Sequence, residues 1–272
     1  MPEGRQIPHH GEAIVLRTWP FHEADLLVSL FTRDQGKVKG VARHAMRSRR
    51  RFGGALEPAT RVLAHYTERP KQELVRLDSF EILWSPLTAP IDYLRTAALQ
   101  LVTEVLEEAM PDLAPEDNLY RLAVTVLTTI HSGTPTGVSS RPERSGVERP
   151  VVGPPQIYLP VTYFCLWMNR LMGWMPELGH CTVCGLDLRG QMVWWSPAGD
   201  GVTCHDDRRA GSRELSAESV AESYRIARSS LPQLAEEAWP EARAKDLRAF
   251  AIGTLERHLE RRLRSAVALT TY

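Results

Sequence analysis

The chain has 272 residues, 43% of them hydrophobic, which is enough for one large domain or two of ordinary size. Lys and Arg number 33 and Asp and Glu 33, so the whole is neutral and any charged partner must be met by a local patch. No apolar stretch approaches the roughly 20 residues of a membrane span. The opening MPEGRQIPHHGE has no secretory apolar core, and the chain is expected to be cytoplasmic.

Charge is uneven along the chain. Residues 1–83 carry 14 basic and 10 acidic side chains, net +4, whereas residues 84–131 carry 2 and 7, net −5. Only four of the 33 basic residues are Lys. Arg is the better fork for phosphates and stacks better on bases.

Residues 12–80 are predicted to form strands. Glu12–Arg17, Asp25–Thr32, Lys37–Ala42, Arg61–Tyr66 and Glu73–Phe80 are short and rich in β-branched or aromatic residues, and turn-forming residues separate them. Five strands in about 70 residues fit a small closed barrel, of OB or SH3-like type. The stretch Gly36–Leu56 holds seven cations (Lys37, Lys39, Arg43, Arg47, Arg49, Arg50 and Arg51), one His and no acid. Clustered Lys and Arg neutralise phosphates and release counterions, which makes this run the candidate nucleic-acid site. A solvated arginine-rich loop is the bland alternative. Val38, Val41, Met46 and Phe52 within the run suggest that it is folded.

From Trp84 the period changes. Tyr93–Glu108 places apolar residues three and four apart and predicts a helix with an acidic wet face; Asp117–Ile130 predicts a second, with Asp117 as its N-cap. Residues 132–156 are rich in proline and poor in large apolar side chains, and read as a mobile loop. Helices are predicted again at Val161–Met172, at Ser216–Ser229 and at Ala244–Leu263. The last carries Arg257, Arg261 and Arg264 on one face by spacing, as a solvated helix end or as a receptor for an acidic tail or a second strand. The outcome is an α+β chain: a barrel at residues 1–83, then a helical domain at 84–272 with an insertion at 178–210.

That insertion carries Cys181-x2-Cys184 and, after nineteen intervening residues, Cys204, the spacing of a zinc ribbon. The fourth ligand belongs three residues later, where Asp207 stands; His205 and His180 are near enough to compete. A metal-free ribbon and a redox C-x-x-C are the alternatives. Zinc with four protein ligands would be structural. A deaminase centre is excluded, because His10-Gly11-Glu12 is read as a frayed N-terminus and His180 stands where that motif needs proline. Cys165 and His258 read as packing residues. There is no phosphate-cradling Gly-rich lysine loop and no Ser nucleophile elbow, so the chain is not expected to be an enzyme.

Four segments together resemble the N-terminus of the DNA repair and recombination protein RecO family: EAIVLR at Glu12–Arg17, EADLLVSLFTR at Glu23–Arg33, QGKVKGVAR at Gln35–Arg43 and RFGGALEP at Arg51–Pro58. The resemblance implies an N-terminal OB domain on a helical domain that carries a zinc ribbon in some members. It implies binding of single- and double-stranded DNA, strand annealing, and complexes with RecR and single-stranded DNA-binding protein that help RecA load. Carried over, the phosphate-binding positions are Lys37, Arg43, Arg47 and Arg51, with Lys39, Arg49 and Arg50 as added charge. His44 and Met46 depart from the family pattern, as does Asp207 at a cysteine position. An RNA-binding OB protein is the rival reading.

Overall fold

A computed structural model describes residues 6–48, 50–69, 72–88, 92–132 and 157–270. The predicted loop at 132–156 falls, beyond Ser132, outside the described residues. The described residues belong to two compact units, the first within Met1–Val124 plus Leu263–Ser265 and the second within Thr125–Arg262 plus Ala266–Tyr272.

The first unit is built on five strands: β1 (Ile7–Pro20), β2 (Leu26–Thr32), β3 (Gly36–Ala42), β4 (Arg61–Glu68) and β5 (Val75–Trp84). They close in the order β1-β2-β3-β5-β4. Strand β1 starts five residues before the predicted Glu12, because Ile7–Ile14 pair with β4 from Ile7↔Glu68 to Ile14↔Arg61. His10, Gly11 and Glu12 are therefore ladder residues and not a frayed end. Val28, Leu30, Val38, Val62, Ala64 and Leu77 fill the interior, as the alternation of a strand with one inward face requires.

Helix α1 (Tyr93–Ala109) and the start of α2 (Asp117–Ser132), as far as Val124, belong to this unit. Asp92 caps α1 by accepting from the Arg95 amide at 2.7 Å, and α1 packs on β1 and β2. Asp117 is the first residue of α2 and not its cap, and it accepts from Arg33 Nε at 2.8 Å. The turn between the helices lies along β3 like a short extra strand: Lys37 bridges Asp112, and the Leu113 amide donates to the Lys37 carbonyl at 2.9 Å. Gly36 permits this approach. Its φ is +72°, and a Cβ there would lie 2.1 Å from the Ala114 carbonyl oxygen. The compact unit thus extends well past residue 83, where the strand pattern ends.

In the second unit α3 (Tyr158–Leu171) packs against the later α6. Between them come β6 (Val193–Trp195), β7 (Val202–Thr203) and β8 (Arg213–Leu215), a three-stranded sheet ordered β7-β6-β8. Then follow α4 (Ala217–Ile226), α5 (Leu231–Leu234), α6 (Lys245–His258) and α7 (Val267–Thr270). The small sheet is seated on α6 through Trp195, whose ring meets Phe250 edge-on at 5.3 Å. A Cβ at Gly253 would come within 2.7 Å of that indole. The interior of α3 includes Cys165, whose thiol is pushed up to about 12 by burial, consistent with packing.

Asp246 at the start of α6 ties these parts together. It accepts from the Ser216 amide at 2.7 Å, from the Leu247 amide at 3.0 Å and from the Ser219 hydroxyl. Burial pushes its carboxyl up, but hydrogen bonds from Ser219, Ser216 and Leu247 outweigh burial and hold it below the usual range. A depressed folded value means that the stabilisation is full above the ordinary carboxylate range and is lost as pH falls through the folded value. Asp246→Ala is expected to cost about 2–3 kcal/mol at pH 7. Denaturant melts at pH 7 and pH 3 should show the gap between variant and parent closing at the lower pH.

Candidate nucleic-acid interface and metal centre

The basic run does not form one continuous cationic surface. Lys37, in β3, is only 8% exposed in its side chain; its ammonium donates to the Glu107 carbonyl at 2.8 Å and lies 3.2 Å from Asp112 Oδ1. It anchors the strand to the helix through these two acceptors. Lys39, two residues on, is 34% exposed, with Asp112 Oδ2 at 3.7 Å and Glu107 Oε1 at 4.0 Å. Glu107 is itself buried and accepts from the Ser29 hydroxyl at 2.5 Å. Burial raises its carboxyl despite that bond and the two lysines. The net −5 of residues 84–131 was the sequence signal for this neutralisation.

Past β3 the chain turns through residues 43–60. Phe52 and Ala55 enter the barrel core, and the Phe80 amide donates to the Arg51 carbonyl at 2.9 Å. Phe52 meets Phe80 edge-on at 5.5 Å. The run is folded as expected, although Met46 is 64% exposed and contributes nothing to the core. Arg51 serves that fold: it lies over Phe52 at 5.1 Å and donates to Ser48 Oγ at 3.2 Å and to the Arg43 carbonyl. Arg43, Arg47 and Arg50 are exposed, and none forms an ion pair among the described residues. Arg49 lies outside the described residues.

Arg43 opens on a cleft of 660 Å³ whose other walls include Phe21, His22 and Asp25 on one side and Arg69 and residues 72–76 on another. Phe21 is 41% exposed there, with His22 tilted against it at 4.3 Å between ring centroids. Phe21 can take a stacked base, whereas Phe52 and Tyr66 are buried in the barrel and cannot. Arg69 and Arg76 also line the cleft. Phe21 is legible in the sequence as a ring near the basic face, with Trp19, Phe52 and Tyr66; Arg69 and the stretch 72–76 carry no motif and give no such signal.

The predicted cationic face on the last helix is not formed. Helix α6 ends at His258, so Arg261 and Arg264 leave its register. Arg257 pairs with Asp200 at 2.5 Å, and Arg262 with Glu256 at 3.1 Å. His258 stacks flat on Trp174 at 5.1 Å.

In the second unit Cys181, Cys184, Cys204 and Asp207 converge, each with a donor atom within 4.8 Å of the others. The Cys184 and Cys204 sulfurs are 3.8 Å apart, and Asp207 Oδ2 is 3.2 Å from the sulfurs of both Cys181 and Cys204. A tetrahedron with zinc–sulfur bonds of about 2.3 Å and a zinc–oxygen bond of about 2.0 Å has edges of about 3.8 Å and 3.5 Å, so the donor set fits that ion. The turn is shaped for it: Gly185, at φ +75°, donates to the Cys181 carbonyl at 2.9 Å, and the Cys181 amide donates to Leu186 at 2.9 Å. Thr182 donates to the Val202 carbonyl on β7 from both its amide and its hydroxyl, each at 3.0 Å. His180 and His205 point elsewhere, to Glu177 at 2.8 Å and Asp206 at 3.2 Å.

Comparison with known proteins covers both units. The family model for the N terminus of recombination protein O matches residues 7–86, and that for its C terminus matches residues 153–266. The chain belongs to the RecO family. It is 46% identical to a protein of Koribacter versatilis named DNA repair protein RecO, over 93% of this chain and 94% of that one. A RecO of Anaeromyxobacter sp. (strain Fw109-5) is 32% identical over 92% and 91%, and one from strain K of that genus 31% over 92% and 91%. Membership of this family places the chain in DNA repair and recombination. Among the described residues, no helix is long and apolar enough to cross a membrane.

Proposed function

We propose that this chain is a recombination mediator that binds single- and double-stranded DNA, anneals complementary strands, and works with RecR and single-stranded DNA-binding protein to help RecA load. The 660 Å³ cleft carries the reading. It lies between the β1–β2 and β4–β5 connections of a closed five-stranded sheet ordered as in an OB barrel, the place where such barrels take oligonucleotides. Arg43, Arg47 and Arg50, with Arg49 of the same run, supply phosphate contacts, and Phe21 a stacking ring. Annealing needs charge neutralisation between two phosphate chains and no covalent step, so the work requires no catalytic residue. A cytoplasmic location accords with it.

The converging thiols and Asp207 support a ribbon that holds one structural zinc ion. Cys181, Cys184, Cys204 and Asp207 would be its ligands. When bound, the ion supplies a cross-link between the 181–186 turn and the strand that leads to Cys204. Four protein donors fill the coordination shell and leave no position for a substrate.

The test is annealing of complementary oligonucleotides coated with single-stranded DNA-binding protein. The full chain is expected to speed it several-fold, and unlabelled DNA is expected to compete better than RNA of the same sequence. No acceleration, or preference for RNA, would overturn the reading in favour of an RNA-binding OB protein.

A further inference from the structure

A second cleft, of 470 Å³, opens at the head of β3 and is lined among others by His9, Lys37, Lys39, Tyr66 and Asp112. Residues 72–75 line this cleft and the 660 Å³ cleft alike, so the two adjoin where the β4–β5 connection enters β5. Here Asp112 presents one carboxylate oxygen to each of two ammonium groups, Oδ1 to Lys37 at 3.2 Å and Oδ2 to Lys39 at 3.7 Å. Two cations bridged by two oxygens of one anion is also the arrangement that the two free oxygens of a phosphodiester satisfy.

We propose that Asp112 is an internal phosphate surrogate: it occupies the anion position of a two-lysine site, and a DNA phosphate displaces it from Lys39. The proposal rests on the reading that the barrel binds DNA. Three observations make the exchange feasible. Asp112 is 56% exposed, so it can turn to water with little loss of solvation. Lys37 keeps the Glu107 carbonyl at 2.8 Å when Asp112 leaves. Among the described residues Lys39 has no ion-pair contact closer than 3.7 Å, so a phosphate at hydrogen-bond distance improves on what it has. Glu68 and Glu73 line the same cleft and repel a free anion. A strand already held at Arg43 brings its next phosphates to the site at high effective concentration, which overcomes that repulsion. The cleft therefore selects a chain of phosphates over a single one.

The experiment is a salt titration of a fluorescent oligothymidylate with the full chain. Asp112→Asn, which keeps the side-chain shape, is expected to tighten binding at low salt by about 3- to 5-fold. The salt slope should steepen by about 0.7, one more single-strand phosphate contact. Glu73→Gln removes the same charge from the cleft without touching a lysine, and is expected to leave the slope unchanged. Lys39→Ala alone should do little, yet in the Asp112→Asn background it should abolish the gain. An equal gain from Asp112→Asn with Lys39 absent, or no gain at all, overturns the proposal while DNA binding stands. If the parent chain shows no salt-dependent binding, the DNA reading itself fails.

Discussion

Replacing Arg43 and Arg47 together by alanine is expected to weaken binding to single-stranded DNA by about 25-fold near 0.1 M salt, and to flatten the salt slope by about 1.4. The figure follows from two lost phosphate contacts, each worth about 0.7 in slope on a single strand. Both side chains are exposed and free of ion pairs among the described residues, so their removal takes nothing from the core. The loss should be alike for unrelated sequences, since phosphates carry no base information. Arg51→Ala should behave differently. Arg51 braces the turn through Ser48, the Arg43 carbonyl and the Phe52 ring, so its loss is expected to lower stability by about 1 kcal/mol before it alters the slope. Lost affinity with an unchanged slope in the Arg43/Arg47 variant would mean that those residues support the fold instead of the ligand.

The second large effect is expected at the thiol cluster. Elemental analysis should find about one zinc per chain, and a strong chelator should lower the melting temperature by about 10 °C. An ion present at a thousandfold its dissociation constant contributes about 4 kcal/mol, and 1 kcal/mol shifts melting by about 2–4 °C in a chain of this size. The reason for so large a dependence is local. Val183 is 60% exposed, Leu186 51% and Met192 46%, so the turn buries little apolar surface of its own. Backbone hydrogen bonds and the ion must hold it. Asp207→Asn should weaken zinc retention, and Asp207→Cys should restore it. A protein without zinc, with melting indifferent to chelator, would leave the cluster as three thiols around a carboxylate.

Much of this architecture is legible in short-range pattern. The alternation of Val38, Leu30 and Val62 with outward polar or helix-covered positions specifies strands, and Leu94–Leu106 at three- and four-residue spacing specifies α1. Ser216 marks the start of α4 by the same local chemistry, accepting from the Ser219 amide at 3.2 Å. The candidate metal donors are legible too, because a C-x2-C turn and a cysteine followed by a carboxylate three residues later are set by chain geometry over a few residues.

What the sequence could not decide is which charges are free. Lys37 and Arg43 look alike in the basic run, yet the first is sealed by Glu107 and Asp112, some 70 residues away, while the second opens on a cleft. The start of β1 at Ile7 is likewise fixed by a partner, the β4 ladder, whereas α6 ends at His258 just before Glu260 takes a φ of +54°. Periodicity reports the conformation of neighbouring residues, because it arises from sterics and hydrogen bonds within a few positions. Neutralisation of a cation depends on which distant carboxylate the folded chain carries to it. That was decided when the turn between α1 and α2 settled along β3, over a glycine small enough to admit it.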